Sequence, residues 1–134
     1  MLADDFLGGS REKDEETASE NYIRAFREIE SDPNNELMVA ELDGGIVGTF
    51  QLTYTPSLSF QGGKRCTIES VRVDTRLRGH GIGQAMMLWA IERAKEKGCV
   101  SMQLTTHSER TNAHRFYEKL GFEATHLGMK LKLE

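Results

Sequence analysis

The chain has 134 residues, enough for one domain with a single core. Its 17 basic and 21 acidic side chains leave a formal charge of −4, which argues against nucleic acid as the main partner because a phosphate backbone needs a basic face. No apolar run approaches the roughly 18 residues of a membrane span, no signal peptide is read, and Cys66 and Cys99 lack Cys-x-x-Cys spacing, so a soluble cytoplasmic protein with reduced thiols is expected.

Met1–Phe6 reads as the tail of a helix stopped at Gly8-Gly9. The acidic residues Glu12, Asp14, Glu15 and Glu16 then open a second helix, where the dipole favours them. Ala18, Tyr22, Ala25, Phe26 and Ile29 follow at helical spacing, and Asp32-Pro33-Asn34-Asn35 turns the chain. A hairpin comes next: Leu37–Leu42, a turn at Asp43-Gly44-Gly45, and Ile46–Tyr54. After a loop from Thr55 to Arg65, Thr67–Val73 is a strand and Ile82–Lys97 a helix ended by Gly98, with Trp89 and the methionines read as core. Val100–Thr105 reads as the parallel partner of the Thr67–Val73 strand, closing a βαβ unit. Thr111–Leu120 is a shorter helix, and Phe122–Ala124 with Met129–Leu133 read as a final antiparallel pair. The order predicts an α/β fold of the α+β kind, with a mixed, mostly antiparallel central sheet and flanking helices.

The most informative stretch is Arg78-Gly79-His80-Gly81-Ile82-Gly83, set between a strand and a helix. Glycines let a ligand approach the backbone, and the first turn of a helix presents unpaired N–H groups at its positive end. That combination binds anionic oxygens. A Walker loop would need Gly-Lys-Ser or Gly-Lys-Thr, which is absent. A dinucleotide fingerprint would open a doubly wound fold, whereas this turn comes mid-chain after a hairpin. The pyrophosphate turn of coenzyme A, Arg/Gln-x-x-Gly-x-Gly/Ala, is instead filled in register by Arg78, Gly81 and Gly83.

With Val71-x-Val73 before that turn, and Asn112-Ala113-His114-Arg115-Phe116-Tyr117 followed by Leu120-Gly121-Phe122 behind it, the sequence resembles the GNAT family of N-acetyltransferases from about Ser10 onward. The resemblance implies acetyl-CoA as co-substrate, with contacts from Val71, Arg72 and Val73, through Arg78, Gly79, His80, Gly81, Ile82, Gly83 and Gln84, and from Asn112. The pantetheine arm would lie as an added strand between Val71–Val73 and Leu104–Thr106, with a backbone N–H near Val71 facing the thioester oxygen. His80 would contribute its backbone N–H. Asn112 would bind cofactor, or simply cap its helix.

Acetyl transfer to an amine needs a neutral amine, a stabilised oxyanion and a protonated leaving thiolate. The resemblance implies Tyr117 as general acid. Glu69, among apolar sequence neighbours that predict burial, is the candidate general base; its other reading is a solvent-facing strand residue. Arg110 and Arg115 read as solvated charges. No metal is expected, since His107, His114 and His126 lack ligand spacing. The family's leading strand has no counterpart here, so the open sheet edge predicts a homodimer that covers it or reduced stability. The acceptor is a small-molecule amine or a peptide N-terminus. A non-catalytic acyl-CoA-binding regulatory module is the alternative.

Overall fold

The computed structural model describes residues 15–134, so the helix tail expected at Met1–Phe6 and the expectation of a missing leading strand fall outside the described residues. Helix α1 spans Glu15–Ser31 and ends where Asp32 accepts from the Asn34 N–H and the Asn35 side chain, a local bonding pattern that competes with further helix. The hairpin follows as β1 (Asn35–Leu42) and β2 (Gly45–Thr55). Leu42 pairs with Gly45, which leaves Asp43 and Gly44 as a two-residue loop with φ of 52° and 82°. Positive φ at both positions matches the twist of the flanking strands.

The connection expected to be irregular from Thr55 to Arg65 contains a helical turn, Ser59–Gly62, and Lys64 already belongs to β3 (Lys64–Val73). A short 3₁₀ turn, Thr75–Leu77, leads through the glycines to α2 (Ile82–Glu96). Strand β4 (Cys99–Gln103) and α3 (Thr111–Lys119) complete the described elements. Among the described residues the sheet has four strands in the order β1-β2-β3-β4, antiparallel except for the parallel β3–β4 pair.

The core lies between the sheet and α2. Phe50, Leu52 and Tyr54 of β2 and Cys66 and Ile68 of β3 face Met86, Met87, Ala90 and Ala94 of α2. Alternation along each strand puts these side chains on one face and their neighbours on the other. Gly48 matters here, because a Cβ there would sit 2.5 Å from the Met86 sulfur. A partly buried cluster ties β1 to α2: Arg93 Nε donates to Glu36 Oε1 at 3.0 Å, and the Tyr54 hydroxyl donates to the same oxygen. The Arg93 guanidinium, helped by Tyr54, holds the Glu36 carboxyl down at about 2 against the opposing effect of burial. Burial pushes the Cys66 thiol up to about 12.

Two expectations fail. Trp89 is 45% exposed and meets the core only edge-on, against Phe50 at 5.9 Å; Met87 takes the buried position. The final pair Phe122–Ala124 and Met129–Leu133 is not formed, because no strand lies opposite either segment, and Phe122 alone packs inward. No helix among the described residues is long and apolar enough to cross a membrane.

Candidate active site

The site begins with a fault in the sheet. Gln51 pairs with Glu69, but Thr49, two residues back on β2, pairs with Arg72, so β3 uses three steps where β2 uses two. The extra residue is a β-bulge, and Ser70 stands in it at φ 56°, a left-handed conformation that a serine adopts only at a cost. A bulge bends its strand and sharpens the twist. β3 and β4 pair only from Lys64 with Cys99 to Thr67 with Gln103. Beyond that rung, Ile68–Val73 has no strand neighbour on its β4 side among the described residues. Val71 and Val73 pack partly into the core on the α2 side, and Arg72 lies opposite Thr49 on the other face, its Nη1 donating to the Val71 carbonyl at 3.1 Å.

The bent strand delivers the chain to the glycine turn. The Asp74 N–H donates to the Val47 carbonyl at 2.8 Å, and its carboxylate accepts from the N–H and side chain of Arg76. Arg76 holds the Asp74 carboxyl down at about 2. Gly79 and Gly81 have φ of 85° and 80°, with open space where a Cβ would stand, so the backbone conformation, not crowding, selects glycine there. Gly81 is the N-cap of α2, and the first intrahelical bond runs from Ala85 N–H to the Gly81 carbonyl at 3.0 Å. The N–H groups of Ile82, Gly83 and Gln84 therefore precede the helix ladder. No acidic residue occupies that first turn, and Arg78 stands exposed beside it. This is a run of donors at a helix's positive end. The His80 N–H does not join it freely, because it already donates to the Leu77 carbonyl at 3.3 Å.

Tyr117 stands on the α2 side of the sheet, packed edge-on against Phe116 at 5.1 Å and Phe122 at 6.0 Å. Burial pushes its phenol above the ordinary value, partly offset by the charge of Arg110. Phe116 reaches toward Gly83, where an added Cβ would meet its ring at 3.7 Å, so α3 and the start of α2 lie side by side. Glu69 is on the opposite face, since its neighbour Ile68 points into the core. The burial expected for Glu69 is not found; the side chain is exposed. The apolar residues beside it in sequence belong to the other side of the sheet. Asn112 is exposed one residue inside α3, while Arg110 holds the N-cap without a side-chain bond, so the capping reading of Asn112 is removed. Ser70, which sets the bend, was not among the expected site residues; serine carries no sequence signal for positive φ.

The family model for the acetyltransferase (GNAT) family matches residues 3–122. The chain belongs to the GNAT family. Members are acetyl-CoA-dependent acyltransferases, and the relatives found are named N-acetyltransferases. A glucosamine 6-phosphate N-acetyltransferase of Trypanosoma brucei brucei is 39% identical over 67% of this chain and 59% of its own length. An aminoalkylphosphonate N-acetyltransferase of Salmonella typhimurium is 32% identical over 71% of this chain and 61% of its own. The chain thus spans about three fifths of these curated relatives. Among solved structures, a Bacillus halodurans protein described as a transcriptional regulator matches with a TM-score of 0.88 at 53% identity, over 99% of this chain and 89% of that one. Glucosamine-6-phosphate N-acetyltransferase of Arabidopsis thaliana matches with a TM-score of 0.75 at 28% identity, over 86% and 78%. The mixed sheet with flanking helices is the fold of these neighbours.

The residues present fit acetyl-CoA. The unpaired first-turn amides of α2 suit a diphosphate, and the strand-width opening beside Ile68–Val73 suits an amide-bearing arm.

Proposed function

We propose that this chain transfers an acetyl group from acetyl-CoA to a primary amine by direct attack. The observation that carries the proposal is the unpaired stretch of β3 beyond the end of β4, leading into the glycine turn at the start of α2. In this reading Gly79–Gln84 and Arg78 hold the diphosphate, and Val71–Val73 hold the pantetheine arm through backbone bonds. Bound there, acetyl-CoA supplies an activated acyl group. The Val71 N–H, in the stretch of β3 that the β2 register passes over, faces the thioester oxygen. Tyr117 gives its proton to the departing sulfur, a role its raised phenol suits at neutral pH. Glu69, exposed on the other face, takes a proton from the incoming ammonium directly or through water. Asn112 contacts the cofactor.

For the acceptor, we favour a small amine that also carries a phosphoryl or phosphonyl group. The two named relatives, one for glucosamine 6-phosphate and one for aminoalkylphosphonates, share that chemistry. Peptide N-termini come second. The reliance on acetyl-CoA and two unpaired thiols supports a cytoplasmic setting.

A second reading has its own support. The Bacillus halodurans relative described as a transcriptional regulator covers nearly all of this chain. A non-catalytic acyl-CoA-binding regulator would keep the same turn and opening. The test is to incubate pure protein with acetyl-CoA and glucosamine 6-phosphate, 2-aminoethylphosphonate, unphosphorylated glucosamine and a peptide, reading free thiol and acetylated product. Turnover with the phosphorylated amines supports the enzyme. Saturable cofactor binding with no turnover on any amine supports the regulator.

A further inference from the structure

The bulge in β3 decides which side chains stand beside Glu69. Gln51 and Thr49 are two residues apart on β2, so they share a face, and their partners Glu69 and Arg72 share it with them. Without the extra residue that face would carry Val71 in place of Arg72. The two charged residues are thus next neighbours along the strand, about 7 Å apart by strand rise. Arg72 is partly buried, with Nη1 donating to the Val71 carbonyl at 3.1 Å, so its guanidinium is kept close to the sheet. Opposite it, Thr49 is 7% exposed, and its hydroxyl has no hydrogen-bond partner among the described residues. A buried hydroxyl without a partner is costly, and folded proteins keep such groups where a water or a ligand completes the bond.

We propose that Arg72, with the Thr49 hydroxyl beside it, binds the phosphoryl or phosphonyl group of the acceptor while Glu69 meets its ammonium. The inference rests on the acyl-transfer reading and names the residues that select the acceptor. A guanidinium grips two oxygens of such a group with parallel N–H donors, and a hydroxyl donates to a remaining oxygen. An amine carrying an anion then meets opposite charges in matching order along β3. The chain's formal charge of −4 disfavours anions in general, so choosing an anionic acceptor requires a local cation. Arg65 is on the same face of β3 but opposite Thr55, at the far end of the strand from the glycine turn. It carries the same charge without the position, which makes it the control.

The test compares glucosamine 6-phosphate with glucosamine, and 2-aminoethylphosphonate with propylamine, by kcat and KM. Calorimetry of glucosamine 6-phosphate into coenzyme A-loaded protein and dialysis of acetyl-CoA accompany it. Wild type should prefer the anionic amine of each pair. Arg72→Met should lower that preference at least about tenfold, through KM more than kcat, with Arg72→Lys in between. The acetyl-CoA Kd should stay within about twofold. Arg65→Met should keep the wild-type preference. Thr49→Val should weaken the anionic amine about threefold yet raise the urea midpoint, because an unpartnered hydroxyl is gone. No preference in wild type, an unchanged preference in Arg72→Met, or an equal fall in Arg65→Met overturns the proposal. So does a matching loss of acetyl-CoA affinity in Arg72→Met, which would put the guanidinium on the cofactor's own phosphates. If acetyl-CoA binds and no amine is acetylated, the acyl-transfer reading fails and calorimetry decides. Glucosamine 6-phosphate binding that is lost in Arg72→Met then supports the anion site, and unchanged binding overturns it.

Discussion

Gln103 Nε2 donates to the Thr67 hydroxyl at 3.2 Å across the last paired rung between β4 and β3. β4 ends at this rung, and β3 runs on to Val73 without a strand neighbour on that side among the described residues. The bulge at Ser70 lies within a few residues of that rung and bends β3 there. The hinge of the site is thus a backbone feature, held by a residue that makes no chemistry of its own.

Ser70 at φ 56° should be more stable as glycine. Left-handed backbone costs a non-glycine residue about 1–2 kcal/mol, and glycine returns part of that as unfolded-state entropy. Ser70→Gly is expected to raise unfolding stability in urea by up to about 1 kcal/mol, and Ser70→Val to lower it. If the glycine variant were less stable than wild type, the bulge would not be strained as described.

Gly83 tolerates what Gly81 does not. An added Cβ would make ordinary contact with Phe116 at 3.7 Å and Val73 at 3.9 Å, and φ there is not positive. Gly83→Ala should leave stability unchanged or raise it by up to about 1 kcal/mol from helix propensity. Its acetyl-CoA affinity should stay within about twofold, because the added methyl packs against Phe116 and Val73. Gly81→Ala should lower both stability and affinity, since φ is 80° at that position. Chemical unfolding and equilibrium dialysis on the same samples check the pair.

Tyr117→Phe should cut kcat about a hundredfold, within the usual range for losing a general acid, and leave the Kd for acetyl-CoA within about twofold. The phenol is pushed up by burial, so it keeps its proton through neutral pH. In the wild type, kcat should not fall as pH approaches 10, the ordinary phenol value. A kcat that declines well below pH 10 in wild type and in Tyr117→Phe alike would mean the acid is some other group.

The Glu36 carboxyl, with an ordinary value of 4.5, is held at about 2 in the folded chain by Arg93 and Tyr54. A depressed folded-state value means stability that is present above about pH 4.5 and is lost as pH falls toward about 2. Glu36→Gln should therefore cost about 1–2 kcal/mol at pH 7, discounted for partial exposure, with the gap to wild type narrowing through that acid window. Urea midpoints at pH 7, 4 and 3 would show it; a constant gap at all three would contradict the assignment.

The glycine turn and the βαβ unit were legible because glycine and helical periodicity report directly on backbone conformation. The bulge was not, since Ser70 could as readily have continued a regular strand. Glu69 was misplaced by reading along the chain: in a strand the adjacent residues Ile68 and Ser70 point away from it, so apolar sequence neighbours predict exposure as readily as burial. Trp89 shares a helix with buried methionines but sits at the border of the apolar stripe, and periodicity does not locate that border to one residue. The alternation after Phe122 suggested a strand pair that is not formed, because strands are made by partners, and sequence names no partner. The acceptor pocket was not legible at all, because it depends on which side chains meet across loops.

Everything rests on the opening beside β3 and the amides at the start of α2 forming one cofactor cradle. Equilibrium dialysis of labelled acetyl-CoA against folded wild-type protein tests that most directly. The expected result is saturable binding at one molecule per chain, competed by coenzyme A and weakened by Gly81→Ala. An absence of saturable binding to folded protein would contradict the account at its base.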